Sequence, residues 1–144
     1  MFSRFPLRSP KPERPFKRAV AFVLRRADAV WLRRRPDDGL LGGMLEAPST
    51  PWRPQAWTKP AALKHAPVSA AWQRHGTVEH GFTHFTIEFE VWSVVHSGPI
   101  EGDGAWRRIA EFDRLALPTM TRKVLAAVLG PAQPPRQSAR LRAK

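Results

Sequence analysis

The 144-residue chain contains no cysteine. Disulfides, thiolate zinc sites and cysteine-ligated iron–sulfur clusters are therefore excluded within it. Long apolar runs are missing as well. Nothing approaches the ~20 consecutive apolar residues that a membrane span needs. The N-terminus is basic but lacks the ~7–15-residue apolar stretch of a secretory signal. The expectation is a cytoplasmic, monomeric protein with no membrane partner. Acid is absent from one long interval: no Asp or Glu lies between Glu46 and Glu79.

What is present supports one folded domain with ragged ends. A hydrophobic fraction of 42% is enough for a core, and the length leaves little room for a second domain. The net charge of +12 is unevenly spread. Residues 1–18 carry six bases against Glu13, and residues 131–144 carry four bases with no acid. Residues 19–130 keep only +3. Many of the fifteen prolines crowd the same ends. The expected division is a Pro-rich basic arm over 1–16, a domain over 17–130 and a disordered basic tail over 131–144. Such arms suit sequence-independent attraction to phosphate better than base reading, or they serve only to solubilise.

Periodicity places the elements. "RAVAFVLRR" (Arg18–Arg26) reads as a buried strand, and "ADAVWLRRR" (Ala27–Arg35) as its hairpin partner. "PDDGLLGG" is turn chemistry, and "MLEAP" (Met44–Pro48) is a short strand-like piece. Residues 49–75 read as a long excursion. It holds a helix near Pro60–Ala66, with Pro60 at a first helical position, and another helical turn over Val68–His75. Trp52, Trp57 and Trp72 should pin this excursion to the body. "GTVEHGF" and "THFTIEFEVWSVVH" read as two strands turning about Gly81–His84. Phe85, Ile87, Phe89 and Val91 point one way, and Thr86, Glu88, Glu90 and Trp92 the other. "GDGAWRRI" gives a turn and a strand, and "AEFDRLAL" a short helix. The last helix starts at a Thr119 or Thr121 cap, carries Met120, Val124, Leu125, Val128 and Leu129 as its stripe, and ends at Gly130. Strands and helices mix without βαβ alternation, so the class is α+β around a mixed sheet.

Two blocks carry chemical meaning. A strand ending in Arg33, Arg34 and Arg35, a glycine turn, and then "GGMLEAP" resembles the start of the Nudix family. In an active Nudix enzyme a glutamate-rich helix follows, because Mg²⁺ on a pyrophosphate needs several oxygen ligands. Here prolines, tryptophans and bases follow instead. A stand-alone Nudix hydrolase of oxidised nucleoside diphosphates would need a displaced acid set such as Glu46, Glu79 and Glu88.

Together, "RRRPDDGLLGGMLEAPST", "VEHGFTHFTIEFEVW" and "LALPTMTRKVLAAVL" resemble the C-terminal domain of the MutY adenine DNA glycosylases. The resemblance spans roughly Arg18–Leu129. It implies a Nudix-like mixed sheet flanked by helices and a role in recognising 8-oxoguanine opposite adenine in duplex DNA. It also implies that Phe82, Thr83 and His84 form the loop meeting the lesion pair. The resemblance implies that the family's excision chemistry and its iron–sulfur cluster belong to an N-terminal helical domain, which this sequence is not expected to include. No cofactor and no catalytic residue are therefore expected in this chain. "RSPKPERP" reads as a linker toward such a domain, and a separately encoded glycosylase domain is the expected partner.

The residue chemistry suits a reading loop. A phenyl ring can wedge at a base step, a hydroxyl can donate and accept, and an imidazole can bond a base or phosphate. The plainer alternative is that Phe82 caps the core, Thr83 serves a turn and His84 is solvated. Arg33, Arg34 and Arg35 are candidate phosphate contacts, or a solvated hairpin end. A metal reading of His75, His80 and His84 lacks acidic partners other than Glu79 and is set aside.

Overall fold

The computed structural model describes residues 15–130. Both basic arms, apart from Pro15 and Phe16, lie outside the described residues. Six strands form one mixed sheet: β1 (Phe16–Arg26), β2 (Ala29–Arg34), β3 (Leu45–Glu46), β4 (Gln73–Gly81), β5 (Thr86–Val95) and β6 (Ala105–Arg108). The order is β3-β2-β1-β5-β4, with β6 also paired to β2. β1 and β5 run parallel in register from Phe16 with Thr86 to Arg25 with Val95. The β1–β2, β2–β3, β2–β6 and β4–β5 pairs are antiparallel.

β1 is apolar throughout its middle because it is central and covered on both faces. Ala19, Ala21 and Val23 face one cluster, joined by Ile87, Phe89 and Val91 from β5 and by helix α2 (Thr119–Leu129). Val20 and Phe22 face the other cluster with Trp92 and Ala62, and Trp57 and Trp72 pack against it. The alternation expected along β5 is the one observed. The first cluster sits under α2. The second sits under the excursion and its one-turn helix α1 (Lys59–Leu63), whose N-cap Thr58 accepts from the Ala61 amide.

The Pro-rich excursion is sewn to β1. The β1–β2 pairing is confined to the hairpin end, Arg25 with Val30 and Arg26 with Ala29. Farther back, the Pro48–Arg53 segment takes up the free backbone. The amides of Phe22, Thr50 and Arg53 bond Pro48, Val20 and Arg18 respectively, and the Arg18 amide bonds Arg53 in return. Buried Thr50 also accepts the Val20 amide on its hydroxyl at 3.0 Å. Trp57 Nε1 donates to the Arg18 carbonyl. Trp72 meets Phe22 edge-on with centroids 5.1 Å apart. The tryptophans therefore pin the excursion, as expected from sequence.

Three local expectations are corrected. Val68–His75 holds no helical turn, and β4 already begins at Gln73. Pairing with β5 wins there, with a bulge between Arg74 and Gly76 that leaves His75 as the extra residue. "AEFDRLAL" forms a 3₁₀ stretch over Ile109–Arg114 rather than an α-helix. Neither threonine caps α2. Its N-cap is Pro118, and the buried Thr121 hydroxyl instead donates to the Leu45 carbonyl at 2.8 Å, tying the helix to β3.

Candidate nucleic-acid interface

The β4–β5 hairpin presents its tip at one end of the sheet. The Phe82 amide donates to the Phe85 carbonyl at 2.7 Å, closing a loop whose two middle residues are Thr83 and His84. Neither has a positive φ, so this is not one of the primed turns that two-residue hairpins favour. Both are exposed. Their neighbour Phe82 is half-buried, packed edge-on to His80 at 4.8 Å and against Phe85 at 5.2 Å. The expected trio thus divides into a packed base, Phe82, and an open pair, Thr83 and His84.

The three arginines divide as well. Arg33 lies directly across from Glu46 in the β2–β3 register. Its Nε donates to Glu46 Oε2 at 2.9 Å, while Arg35 Nη1 donates to Oε1 at 2.7 Å. The Glu46 side chain is only 7% exposed, and both of its oxygens are satisfied by guanidinium groups. Arg34 is exposed and donates to the Gly43 carbonyl. Arg35 Nε donates to the Leu40 carbonyl. The glycine turn can curl tightly enough for this because a Cβ on Gly42 would strike the Asp37 backbone.

Trp52 joins the two groups. Its ring lies 4.8 Å from the Arg35 guanidinium and stacks on Phe82 with centroids 6.1 Å apart and planes 25° apart. It meets Phe85 and Phe89 edge-on. A cleft of about 400 Å³ opens beside it, lined by Arg33, Arg35, Glu46, Ser49, Trp52 and His65. Two lysines border the hairpin. Lys17 Nζ lies 4.5 Å over the Phe85 ring, and Lys123 Nζ donates to the Glu79 carbonyl at 3.0 Å. Sequence reasoning gave Trp52 only an anchoring role and did not single out the lysines. Pairing of β1 with β5 and packing of α2 on β4 bring them there, and neither relation is local in sequence.

The arrangement is an aromatic platform rimmed by cations, with a hydroxyl and an imidazole at its free end. Bases stack on such platforms and phosphates bind such rims. The alternative acid set is not assembled. Glu46 is held by arginines. Glu79 and Glu88 face each other across β4 and β5, on the sheet face opposite Ile87 and Phe89, where Glu88 pairs with Arg18. Among the described residues no group of three or more His, Cys, Asp or Glu gathers to hold a metal ion. No helix among them is long and apolar enough to cross a membrane.

His80 has a physical signature of its own. Its Nδ1 is buried without a hydrogen-bond partner. Burial, followed by the Lys123 charge, pushes its pKa below the ordinary 6.5. In the pH window just below 6.5 the unfolded chain therefore binds more protons at this ring than the folded one. Stability should rise with pH through that window and level off above it. Urea midpoints at about pH 5.5 and 7.5 should differ less in a His80→Asn variant than in the parent. An unchanged difference would show that the slope comes from other groups.

Residues 19–127 match the model of the NUDIX domain family. This chain belongs to that family. Its α+β mixed sheet with flanking helices is the Nudix-like fold that the arginine–glycine block implied. Human adenine DNA glycosylase is 30% identical over 113 residues, which cover 70% of this chain and 21% of that protein. The chain thus spans about a fifth of the length of this relative. The C-terminal domain of mouse MUTYH, crystallised in complex with human PCNA, has a TM-score of 0.65 at 24% identity. That match covers 77% of this chain and 86% of the mouse domain. The MutT protein from Methanosarcina mazei Go1 also scores 0.65, at 15% identity, covering 79% and 93%. These likenesses establish a shared NUDIX fold, and the glycosylase match follows the resemblance read from the three sequence blocks.

Proposed function

We propose that this NUDIX domain is a DNA-repair recognition module of the adenine-glycosylase kind. It reads 8-oxoguanine opposite adenine in duplex DNA, and a partner domain carries out the excision. The observation that carries this reading is the hairpin tip. Thr83 and His84 stand open at the end of a platform built from Phe82, Trp52 and Arg35. The similarity to adenine DNA glycosylase adds support.

The roles divide by geometry. Thr83 supplies a hydroxyl that can donate or accept at a base edge changed by oxidation. His84 bonds a base or phosphate. Phe82, held between Trp52 and His80, fixes the tip rather than wedging freely. Arg34, Lys17 and Lys123 meet phosphate. Arg33 and Arg35 act chiefly through Glu46 and Trp52, setting the platform in place. No step of base excision is assigned to this chain. The iron–sulfur cluster of the MutY glycosylases needs cysteines, and this chain has none.

The test compares duplexes carrying 8-oxoguanine:adenine and guanine:adenine, with an adenine glycosylase domain supplied. The parent chain should favour the lesion duplex. A Thr83→Ala/His84→Ala double variant, which leaves the packed Phe82 intact, should lose roughly tenfold of that preference, the scale of one polar base contact. Equal affinity for both duplexes, unmoved by the double variant, would sink the reading.

A further inference from the structure

At the opposite end of the sheet from the tip, one row of residues crosses four strands. Arg107 on β6 pairs with Val30 on β2, Val30 pairs with Arg25 on β1, and Arg25 pairs with Val95 on β5. Residues paired across strands share a face, so Arg25 and Arg107 lie on one face with Val30 between them. Two inter-strand steps put their backbones about 10 Å apart, within converging reach of two arginine side chains. Each has its Nε buried with no hydrogen-bond partner. Neither forms an ion pair among the described residues, where the ion pairs are those of Arg18, Arg33, Arg35, Arg74 and Arg108. Val95, next in the row, is 76% exposed, so the row opens to solvent at that end. Two half-buried cations with orphaned donors and no ion-pair partner are an incomplete arrangement, because a buried donor left unpaired is costly.

The geometry points to a phosphoryl-binding site formed by Arg25 and Arg107. A guanidinium offers parallel N–H groups that fit two oxygens of an oxyanion. A carboxylate has two oxygens and saturates one such fork. A phosphoryl group has three free oxygens and two negative charges, enough to engage both forks. The phosphoryl group can come from free phosphate or from the end of a nucleic-acid strand. The site stands at the far end of β1 and β5 from Thr83 and His84, so it does not depend on the lesion-reading proposal.

The full chain is titrated with inorganic phosphate against sodium chloride at constant ionic strength, following the thermal midpoint and the ³¹P line width. Saturable stabilisation and line broadening are expected. Both should weaken at least about tenfold in an Arg25→Gln/Arg107→Gln variant, the scale of a lost charge-assisted pair. They should persist in Lys59→Gln, which changes a cation on another part of the surface. If the double glutamine variant does not fold, Arg25→Lys/Arg107→Lys keeps the charge and removes the forks, with the same weakening expected. A second arm compares 5′-phosphorylated with 5′-hydroxyl duplexes lacking any lesion. A preference for the phosphorylated end that disappears in the double variant identifies a strand terminus as the source. Phosphate effects equal in parent and variants, or no phosphate effect in either arm, would overturn the site. Lesion preference measured in the same variants should remain intact, so failure here and failure at the tip are told apart.

Discussion

Replacing Phe22 with alanine is expected to lower the unfolding free energy by about 3–5 kcal/mol. Phe22 is fully buried on the excursion side of the sheet. Its ring is edge-on to Trp72 at 5.1 Å and to Trp92 at 5.7 Å, beside Val20 and Ala62. Alanine would leave a ring-sized void lined by two large aromatic groups that cannot follow the backbone inward. The loss therefore adds a cavity cost to the transfer cost, and close-packed interiors relax only partly. A drop in melting midpoint on the order of 15 °C should accompany it. Val95→Ala, at an open surface position on the neighbouring strand, should change stability by less than about 0.5 kcal/mol. Chemical denaturation of the two variants checks both values. A Phe22→Ala loss below about 1 kcal/mol would mean that the excursion is not packed on the sheet as described.

The second large effect is expected at Arg35. Arg35→Met should cost about 2–3 kcal/mol, because it leaves one oxygen of a mostly buried carboxylate without its partner while Arg33 keeps the other. The side chains of Arg35 and Glu46 are 15% and 7% exposed, so solvent can do little to replace the lost guanidinium. Arg33→Met should cost clearly less. Arg33 is 38% exposed, and solvent there already screens its charge. Combining Arg35→Met with Glu46→Leu should recover much of the loss, since apolar residues of similar volume often replace a buried ion pair without penalty. A double-mutant cycle measures that coupling. Trp52 emission reports the other half of the change, because the indole loses the cation lying 4.8 Å above it. Near-additive losses would contradict the arrangement of Arg35 and Glu46.

The parts legible in the sequence were those governed by local periodicity. The alternation of Phe85, Ile87, Phe89 and Val91 against Glu88, Glu90 and Trp92 gave both faces of β5. The stripe of Met120, Val124 and Leu125 gave α2, and Gly130 gave its end. The turn at Gly81–His84 was legible because two alternating runs flank it. Relations made across the fold were not legible. Thr121 looks like a helix cap from its position, yet the Leu45 carbonyl, 76 residues away, takes its hydroxyl. Gln73–His75 has fair helical neighbours, but β5 offers an open edge and pairing overrides propensity. Glu46 stood out only as the last acid before a gap and as a candidate in the alternative acid set. Its two arginine partners depend on the β2–β3 register, which a two-residue strand scarcely announces. Trp52 carried no signal for its bridging position, since that position follows from how the Pro48–Arg53 segment lies along β1.

The ten-residue parallel match between β1 and β5 has a consequence for how the domain comes to exist. Its partners, beginning with Phe16 and Thr86, are about seventy positions apart, and contacts of that separation require closing a long loop before they return any stabilisation. During synthesis, β1 emerges and can form its short hairpin end with β2, but it must wait for roughly sixty more residues before β5 is available. At ~5–20 residues per second that is a delay of several seconds. Through that interval a central strand that is apolar throughout its middle is only partly covered. The Pro48–Arg53 segment is made well before β5 and can shield one edge of β1. In this light the proline-rich excursion is an early guard for the central strand as well as a wall of the finished fold.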